Sequence, residues 1–135
     1  MIQLSDPDSS IPHVGYGHEV HGKFVCDPSD WFGPGVNIDV TDSVTIEPHV
    51  IVSHDCEIIR HEHDFGRDRT KLGSHSPLVI HEGAFLGCHV IILEGCHEVG
   101  AWSVIGAGSV VTKDVPPYMS GAGNPARQIG TVTLD

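Results

Sequence analysis

The stretch from Ile80 to Lys113, IHEGAFLGCHVIILEGCHEVGAWSVIGAGSVVTK, decides the fold through a repeat of six residues. Branched aliphatic residues occupy the first position of each unit: Ile80, Leu86, Ile92, Val99, Ile105 and Val111. Four positions further on, the side chains are small or short: Ala84, Val90, Cys96, Ser103 and Ser109. Neither an amphipathic helix nor an alternating strand has this period. The repeat is typical of a parallel β-solenoid, in which each unit forms one short flat side of a coil.

The same repeat is present earlier in the chain. Its first positions there are Val40, Ile46, Val52 and Ile58, and its small positions are Val44, Val50 and Cys56. From Ile58 to Ile80 the spacing is not a multiple of six, and the segment HEHDFGRDRTKLGSHSP is polar and rich in turn residues. We therefore predict a loop extruded from the solenoid over residues 59–77, with the repeat resuming near Leu78. Between Ile92 and Val99 the spacing is seven residues instead of six, and this additional residue predicts a small bulge at a corner of the coil.

Length and composition predict a single domain over residues 1–135, and the six-residue repeat predicts that it is all-β. The chain has 135 residues, of which 39% are hydrophobic, and this is enough for one core. Residues 1–31 are rich in turn-forming residues and predict an irregular N-terminal segment with one short strand at 23–26. We predict the β-solenoid over 32–115 and a C-terminal tail over 116–135. The N-terminal segment is expected to pack over an end or a side of the coil, where strand edges need cover.

The charge balance excludes two classes of partner. The formal net charge is −11, with only seven Lys and Arg, whereas nucleic acids and anionic membranes require basic surfaces.

The sequence has no run of eighteen apolar residues and no leader with a charged start and an apolar centre. We therefore expect a cytoplasmic protein without a membrane span. The four cysteines form no CxxC pair, so we expect reduced thiols.

From about residue 30 to residue 129, the chain resembles the hexapeptide-repeat acyltransferases. This family includes the galactoside, maltose and xenobiotic acetyltransferases and many polysaccharide O-acetyltransferases. The segments that carry the resemblance are VTIEPHVIV, RHEHDF, AFLGCHVII, VIGAGSVVTKDVPP and GNPAR. The resemblance implies a left-handed parallel β-helix, an exception to the right-handed crossover rule. It also implies a homotrimer with active sites at the subunit interfaces.

The resemblance further implies that His61 is a general base. In the family, this histidine takes a proton from the acceptor hydroxyl or amine as it attacks the thioester of acetyl-CoA, and imidazole suits the task because its pKa lies near working pH. His61 lies at the loop start, where the family places its histidine, and its separation from Cys88 matches that of the galactoside enzymes. Two alternatives stay open. One is His63, and the other is His54 in VSHDC, a segment that resembles the catalytic segment of nucleotide-sugar N-acetyltransferases.

The family's binding residues also map onto this sequence. Asp39 matches the acidic acceptor-binding position, whereas Trp31 stands where the family has an acceptor-binding asparagine. The donor-binding positions are Cys88, Ala107, Thr112, Lys113 and Arg127. Lys113 and Arg127 are suited to neutralise the phosphates of CoA. The implied reaction uses acetyl-CoA as co-substrate, with no metal, and acetylates a sugar or small hydroxylated metabolite, with a hydroxyl favoured over an amine.

Two other functions remain as alternatives. The gamma-class carbonic anhydrases share this kind of fold and bind zinc through three histidines. His49 and His54 have the five-residue spacing of two of those ligands, and His13 lies near the upstream distance of the third. The loop at 59–77 and the RHEHDF segment argue against this hypothesis, because that family neither places such a loop there nor needs such a segment. The other alternative is a catalytically silent β-helix that serves as a scaffold.

Overall fold

The computed structural model describes residues 11–15 and 20–135, which form a parallel β-solenoid of about five turns. Each turn passes through three short strands that lie on three faces of the coil. The described residues contain no helix, so none of them offers a helical segment of the length and apolarity needed to cross a bilayer. The all-β solenoid predicted from the six-residue repeat is confirmed.

The strands follow one another around the coil in chain order. The first two turns contain β1 (His13–Gly15), β2 (Phe24–Val25), β3 (Trp31–Phe32), β4 (Asn37–Asp39), β5 (Val44–Ile46) and β6 (Ile51–Val52). The third turn contains β7 (Glu57–Ile58), β8 (His61–His63), β9 (Leu72–His75), β10 (Leu78–Ile80) and β11 (Phe85–Leu86). The last turns contain β12 (Ile91–Ile92), β13 (Glu98–Val99), β14 (Val104–Ile105), β15 (Val110–Val111), β16 (Met119–Gly123) and β17 (Ala126–Thr131).

Three sheets make the faces. Face A consists of β1, β4, β7, β12 and β15, face B of β2, β5, β10 and β13, and face C of β3, β6, β11, β14, β16 and β17. The pairs within these faces are parallel except for β16 with β17, which is antiparallel. The C-terminal segment therefore doubles back and covers the outer edge of the last parallel strand, where an open edge would invite pairing with another chain.

The repeat positions build the core. All ten first positions of the six-residue units are buried, with at most 2% of each residue exposed. Equivalent positions of successive turns pack on one another. On face A, Ile58 lies opposite Ile92, and Ile92 lies opposite Val111. Burying one such side chain contributes about 1.5–3 kcal/mol. The inward ladder of branched aliphatic residues therefore supplies the main stabilisation of the coil.

Two of the small inward positions are cysteines. Cys56 and Cys96 are both fully buried, and all four cysteines of the chain are free thiols. Burial raises the pKa of Cys56 to about 11 and that of Cys96 to about 12. Both thiols are therefore protonated at neutral pH. Because the thiolate is the reactive form, they are unreactive core groups.

The repeat is irregular at one corner of the coil. We call the segments that lead from face A to face B the A–B corner; they are 40–43, 59–77, 93–97 and 112–114. In the second turn Ile38, not Val40, pairs with Ile58, so this turn is longer than three units and Val40 is buried at the corner. The third turn extrudes the antiparallel hairpin of β8 and β9, which confirms the predicted extruded loop. The bulge predicted from the one extra residue falls in 93–97.

The described part of the N-terminal segment is mostly turn and irregular chain, with three short strands. The predicted strand near residue 24 is β2, which pairs with β5 on face B. β1 and β3 likewise pair with the second turn, on faces A and C. This segment therefore forms the first turn of the coil and covers the edge of the second.

Candidate active site

His61 and Asp39 form a hydrogen-bonded pair at the A–B corner. His61 begins β8 at the base of the hairpin, and Asp39 ends β4 one turn earlier. Their side chains are only 16% and 14% exposed, and His61 Nδ1 lies 2.5 Å from Asp39 Oδ2. Because a carboxylate only accepts, this hydrogen bond places the proton of the neutral ring on Nδ1 and the lone pair on Nε2. A histidine in this tautomer is able to take a proton at Nε2.

Asp39 is fixed as an anion. Its Oδ1 accepts hydrogen bonds from the Thr41 hydroxyl at 2.7 Å and the Thr41 backbone N–H at 2.9 Å. Its Oδ2 accepts the backbone N–H of Arg60 at 2.9 Å, next to the bond from His61. Burial by itself raises the pKa of the Asp39 carboxyl, but these hydrogen bonds outweigh burial and lower the pKa to about 2 from 3.8. The carboxylate therefore orients the His61 ring throughout the neutral pH range.

The low pKa of Asp39 predicts a pH-dependent contribution to stability. A carboxyl group with a pKa of about 2 in the fold and 3.8 in the unfolded chain adds about 2 kcal/mol, which is fully present above about pH 4 and is lost as the pH falls through about 2. The difference in free energy of unfolding between wild type and Asp39→Asn should therefore narrow towards low pH. Urea unfolding of both proteins from about pH 6 to about pH 2 measures it. A difference that stays constant over this range would contradict the assignment.

Arg60 lies fully buried beneath the hairpin. Its Nη1 donates to the Cys96 carbonyl at 2.8 Å, and its Nη2 donates to the Leu93 carbonyl at 2.7 Å. Longer contacts of Nη1 reach the carbonyls of Ser76 and Pro77, at 3.4 and 3.3 Å. Burial lowers the pKa of the guanidinium from its ordinary value. Arg60 therefore ties both ends of the hairpin to the widened corner of the next turn, directly before His61.

A cavity of about 290 Å³ opens beside His61. Its lining residues come from the hairpin base and the two following turns: Ile59, His61, Glu62, Leu93, Glu94, Gly95 and Thr112. The cavity thus brings together the predicted base His61 and the predicted donor residue Thr112. It also holds two carboxylates, and the Ser74 hydroxyl donates to one oxygen of Glu94 at 3.0 Å.

Lys113 and Arg127 line a second cavity, of about 340 Å³, at the last turn. The rest of its lining is largely apolar, with Val111, Val115 and Met119, but also includes the carboxylate of Asp114. In the sequence, these two residues are the only Lys or Arg after Lys71. Lys113 follows Thr112 directly, so consecutive residues of the chain line the two cavities. Two cations over an apolar floor suit an anionic group that is attached to an apolar one.

The other predicted binding residues lie elsewhere on the coil. Cys88 and Ala107 lie on the C–A corner, which leads from face C to face A. They belong to successive turns, and the backbone N–H of Gly108 donates to the carbonyl of Cys88 at 2.8 Å. Face A separates this corner from His61. Trp31 begins β3 on face C, with 52% of the residue exposed. Within the described part of one chain, these three residues are therefore not brought to the His61 cavity.

The structure also describes the two alternative bases. His63 follows His61 in β8, with ring centroids 5.6 Å apart, but its Nδ1 donates to the backbone carbonyl of Arg69 at 2.6 Å within the exposed hairpin. His54 lies on the C–A corner, and its Nδ1 lies 2.9 Å from Asp55 Oδ2. The side chains of this second pair are 48% and 51% exposed. His61 therefore has the more buried carboxylate partner and a cavity beside it.

The histidines of the zinc hypothesis are not brought together. His13 belongs to β1 on face A, His49 lies between faces B and C, and His54 follows the next strand, on the C–A corner. Among residues 11–15 and 20–135, the one group of three or more side chains placed to hold a metal is His54, Asp55 and His89. His49 and His54 lie at opposite ends of the same strand, β6, which keeps them apart although only five positions divide them in sequence.

The chain is similar in sequence to known acetyltransferases. The galactoside O-acetyltransferase of Escherichia coli (strain K12) is 39% identical over 119 residues, which are 87% of this chain and 56% of that enzyme. The chain therefore spans little more than half the length of this relative. No protein-family model matches the chain.

Solved structures show the same architecture. A hexapeptide-repeat acetyltransferase from Vibrio cholerae, in complex with acetyl coenzyme A, superposes with a TM-score of 0.78 at 25% identity and covers 94% of this chain and 69% of that one. A maltose O-acetyltransferase from Clostridium difficile 630 superposes with a TM-score of 0.68 at 28% identity, over 93% of this chain and 66% of that one. The left-handed parallel β-helix is thereby confirmed. By sequence and by fold, the chain is similar to the hexapeptide-repeat acetyltransferases.

Proposed function

We propose that this protein transfers an acetyl group from acetyl-CoA to a hydroxyl of a sugar or small hydroxylated metabolite, with His61 as general base. The observation that carries the proposal is the half-buried, hydrogen-bonded pair of His61 and Asp39 beside a cavity that Thr112 also lines. The similarity to a galactoside O-acetyltransferase and to an enzyme solved with acetyl coenzyme A supports the choice of donor and of reaction.

The geometry supports a direct transfer. Asp39 accepts the Nδ1 proton of His61, so Nε2 takes the proton of the acceptor hydroxyl as its oxygen attacks the thioester carbon. The bond between carbon and sulfur breaks, the acetyl ester forms, and the CoA thiolate takes the proton back from the imidazolium. Asp39 stabilises that imidazolium because it stays ionised at neutral pH. This route needs no covalent enzyme intermediate.

The two carboxylates in the cavity favour an acceptor with several hydrogen-bond donors. Glu62 and Glu94 line the cavity with His61, and ionised carboxylates only accept hydrogen bonds. A polyhydroxylated acceptor presents one hydroxyl to His61 and other hydroxyls to these carboxylates. An amine is the second candidate, because an ammonium group would also pair with them. The choice between hydroxyl and amine follows from an acceptor panel.

For the donor, we propose that Lys113 and Arg127 hold the phosphates of CoA. Both line the cavity of about 340 Å³ at the last turn. Replacing either residue with alanine should raise KM for acetyl-CoA by about tenfold and leave kcat nearly unchanged, because a charge-assisted hydrogen bond to a phosphate contributes equally to substrate and transition state. Lys71→Ala, in the exposed hairpin, is the matched control and should leave KM unchanged. Equal KM values for all three variants and wild type would refute this donor site.

We further propose a homotrimer in which a neighbouring copy completes the site. Cys88 and Ala107, at donor-binding positions by resemblance, lie across face A from His61 in the same chain, so a second chain is needed to bring them close. Face C offers an apolar surface for assembly, because Trp31, Ile51 and Phe85 stack in register and are each partly exposed. Sedimentation equilibrium should give the mass of three copies; a monomer at working concentration would contradict this assembly.

Thiol release from acetyl-CoA across an acceptor panel tests the proposed function. The panel should contain galactosides, maltose, polyols, hydroxylated amino acids and amino sugars, and calorimetry with acetyl-CoA should accompany it. We expect release that depends on a hydroxylated acceptor, together with saturable binding of acetyl-CoA. No release with any acceptor, together with no binding of acetyl-CoA, would overturn the proposal.

A further inference from the structure

We propose that His54, Asp55 and His89 form a binding site for one divalent transition-metal ion on the C–A corner. Each side chain offers one donor atom, a ring nitrogen or a carboxylate oxygen, and the three atoms lie within 4.8 Å of one another. No other group of three such residues comes together in the part of the chain that the structure describes. Within one chain the site is separate from the His61 cavity, because face A lies between the two corners.

The stacking of two turns creates the cluster. His54 and Asp55 follow β6, and His89 follows β11, which pairs with β6 in the next turn. The backbone N–H of His89 donates to the His54 carbonyl at 3.0 Å, so the corner segments lie one above the other. Asp55 and His89 both adopt left-handed backbone conformations, with φ of 60° and 58°. The fold therefore presents the three side chains from rigid corners of the coil.

The distances suit coordination of one ion. His54 Nδ1 and Asp55 Oδ2 are 2.9 Å apart, and His89 Nε2 and Asp55 Oδ2 are 3.8 Å apart. Donors bonded to one ion at about 2.0–2.2 Å lie roughly 3–4 Å from each other. The two imidazole rings meet at 82° with centroids 5.5 Å apart, so they approach from different directions instead of stacking. Small rotations of exposed side chains are enough to complete the geometry.

The donor set selects the class of ion. Two imidazoles and one carboxylate suit Zn²⁺, Co²⁺ or Ni²⁺, whereas Mg²⁺ and Ca²⁺ prefer ligands that are all oxygen. When His54 Nδ1 binds the ion, the ring remains neutral with its proton on Nε2. Three protein donors leave at least one coordination position for water. Because the donors come from two turns, a bound ion would also clip the second turn to the third.

Zinc binding by the full chain, expressed without a histidine tag and stripped with a chelator, tests the proposal. Calorimetry with Zn²⁺ should show one ion per chain, and excess Mg²⁺ should not displace it. His89→Asn and Asp55→Asn remove a donor, and asparagine tolerates the left-handed backbone at both positions. Each should weaken zinc binding by at least about tenfold, since even outer-shell partners of metal ligands contribute about 10–100-fold.

The matched control is His97→Asn, which removes an exposed histidine on the A–B corner. This variant should bind zinc as the wild type does. Addition of Zn²⁺ should raise the thermal midpoint of the wild type and of His97→Asn, but not that of His89→Asn. Thermal unfolding in the absence of metal shows that each variant is folded. No binding by the wild type would overturn the proposal, and so would equal affinity of the wild type, His89→Asn and Asp55→Asn.

Discussion

Replacing His61 with alanine is expected to lower the turnover of acetyl transfer by about 10²–10⁴-fold, the usual contribution of a positioned general base. The expected size follows from the local geometry, since His61 Nδ1 is held 2.5 Å from the Asp39 carboxylate and Nε2 is left as the proton acceptor. Measurement of kcat and KM by thiol release should show the loss in kcat, because proton transfer takes place in the transition state.

His63→Ala is the matched control for this prediction. His63 lies on the same strand, with its ring centroid 5.6 Å from that of His61, but its Nδ1 binds a backbone carbonyl of the exposed hairpin. Its removal should change kcat only a few-fold. A loss confined to KM in His61→Ala, or an equal loss of kcat in the two variants, would count against His61 as the base.

Replacing Arg60 with methionine is expected to lower the free energy of unfolding by about 3–5 kcal/mol. Methionine fills part of the volume but removes the side-chain donor to the Cys96 carbonyl and one of the two donors to the Leu93 carbonyl, which also accepts from the Cys96 backbone N–H. Each hydrogen bond to a charged group contributes about 1.5–3 kcal/mol, and the guanidinium makes two short ones here. Urea unfolding of wild type and variant measures the difference.

Arg67→Met is the matched control for Arg60, since Arg67 is exposed on the hairpin. A surface substitution of this kind should change the free energy of unfolding by less than about 0.5 kcal/mol. Arg60 is charged and buried, so its desolvation opposes these hydrogen bonds, and an apolar replacement is sometimes neutral or stabilising. A variant Arg60→Met that is as stable as the wild type would show that desolvation is the larger effect here.

Much of the fold could be predicted from the sequence because the core is one-dimensional. Each unit of six residues contributes one large and one small inward side chain, and a turn contacts only its neighbours. The period therefore identified Ile58, Ile92 and Val111 as core residues without knowledge of distant contacts. It also located the extruded loop, because a loop interrupts the spacing.

The corners could not be predicted in the same way. Counting in sixes makes Val40 and Ile58 equivalent first positions, whereas the structure pairs Ile38 with Ile58 and places Val40 at the A–B corner. Both residues are buried, so hydrophobicity alone does not distinguish the two registers. The hairpin strands β8 and β9 could not be predicted for a related reason, since most of their residues are not hydrophobic and the two strands pair only with each other.

The candidate site was predicted in part. His61 and Thr112 were identified by resemblance, but their common cavity depends on how the turns stack. Arg60 was missed because an arginine before HEHD has the composition of a surface loop. The feature of the sequence that could have indicated the role of Arg60 is the additional residue between Ile92 and Val99, at the corner whose carbonyls accept from the guanidinium. The approach of His89 to Asp55 could not be predicted for another reason. The loop of irregular length between them hides which residues of the two turns lie opposite each other.

Thiol release by His61→Ala and His54→Ala, measured side by side with the best acceptor of the panel, tests the central claim most directly. Among the residues that the structure describes, four histidines have a carboxylate at hydrogen-bond distance of the ring: His54, His61, His75 and His81. His61 is the least exposed of the four, and we assign the chemistry to it. We predict that His61→Ala loses about 10²–10⁴ in kcat while His54→Ala retains most of the wild-type rate. A large loss in His54→Ala, with His61→Ala still active, would contradict it.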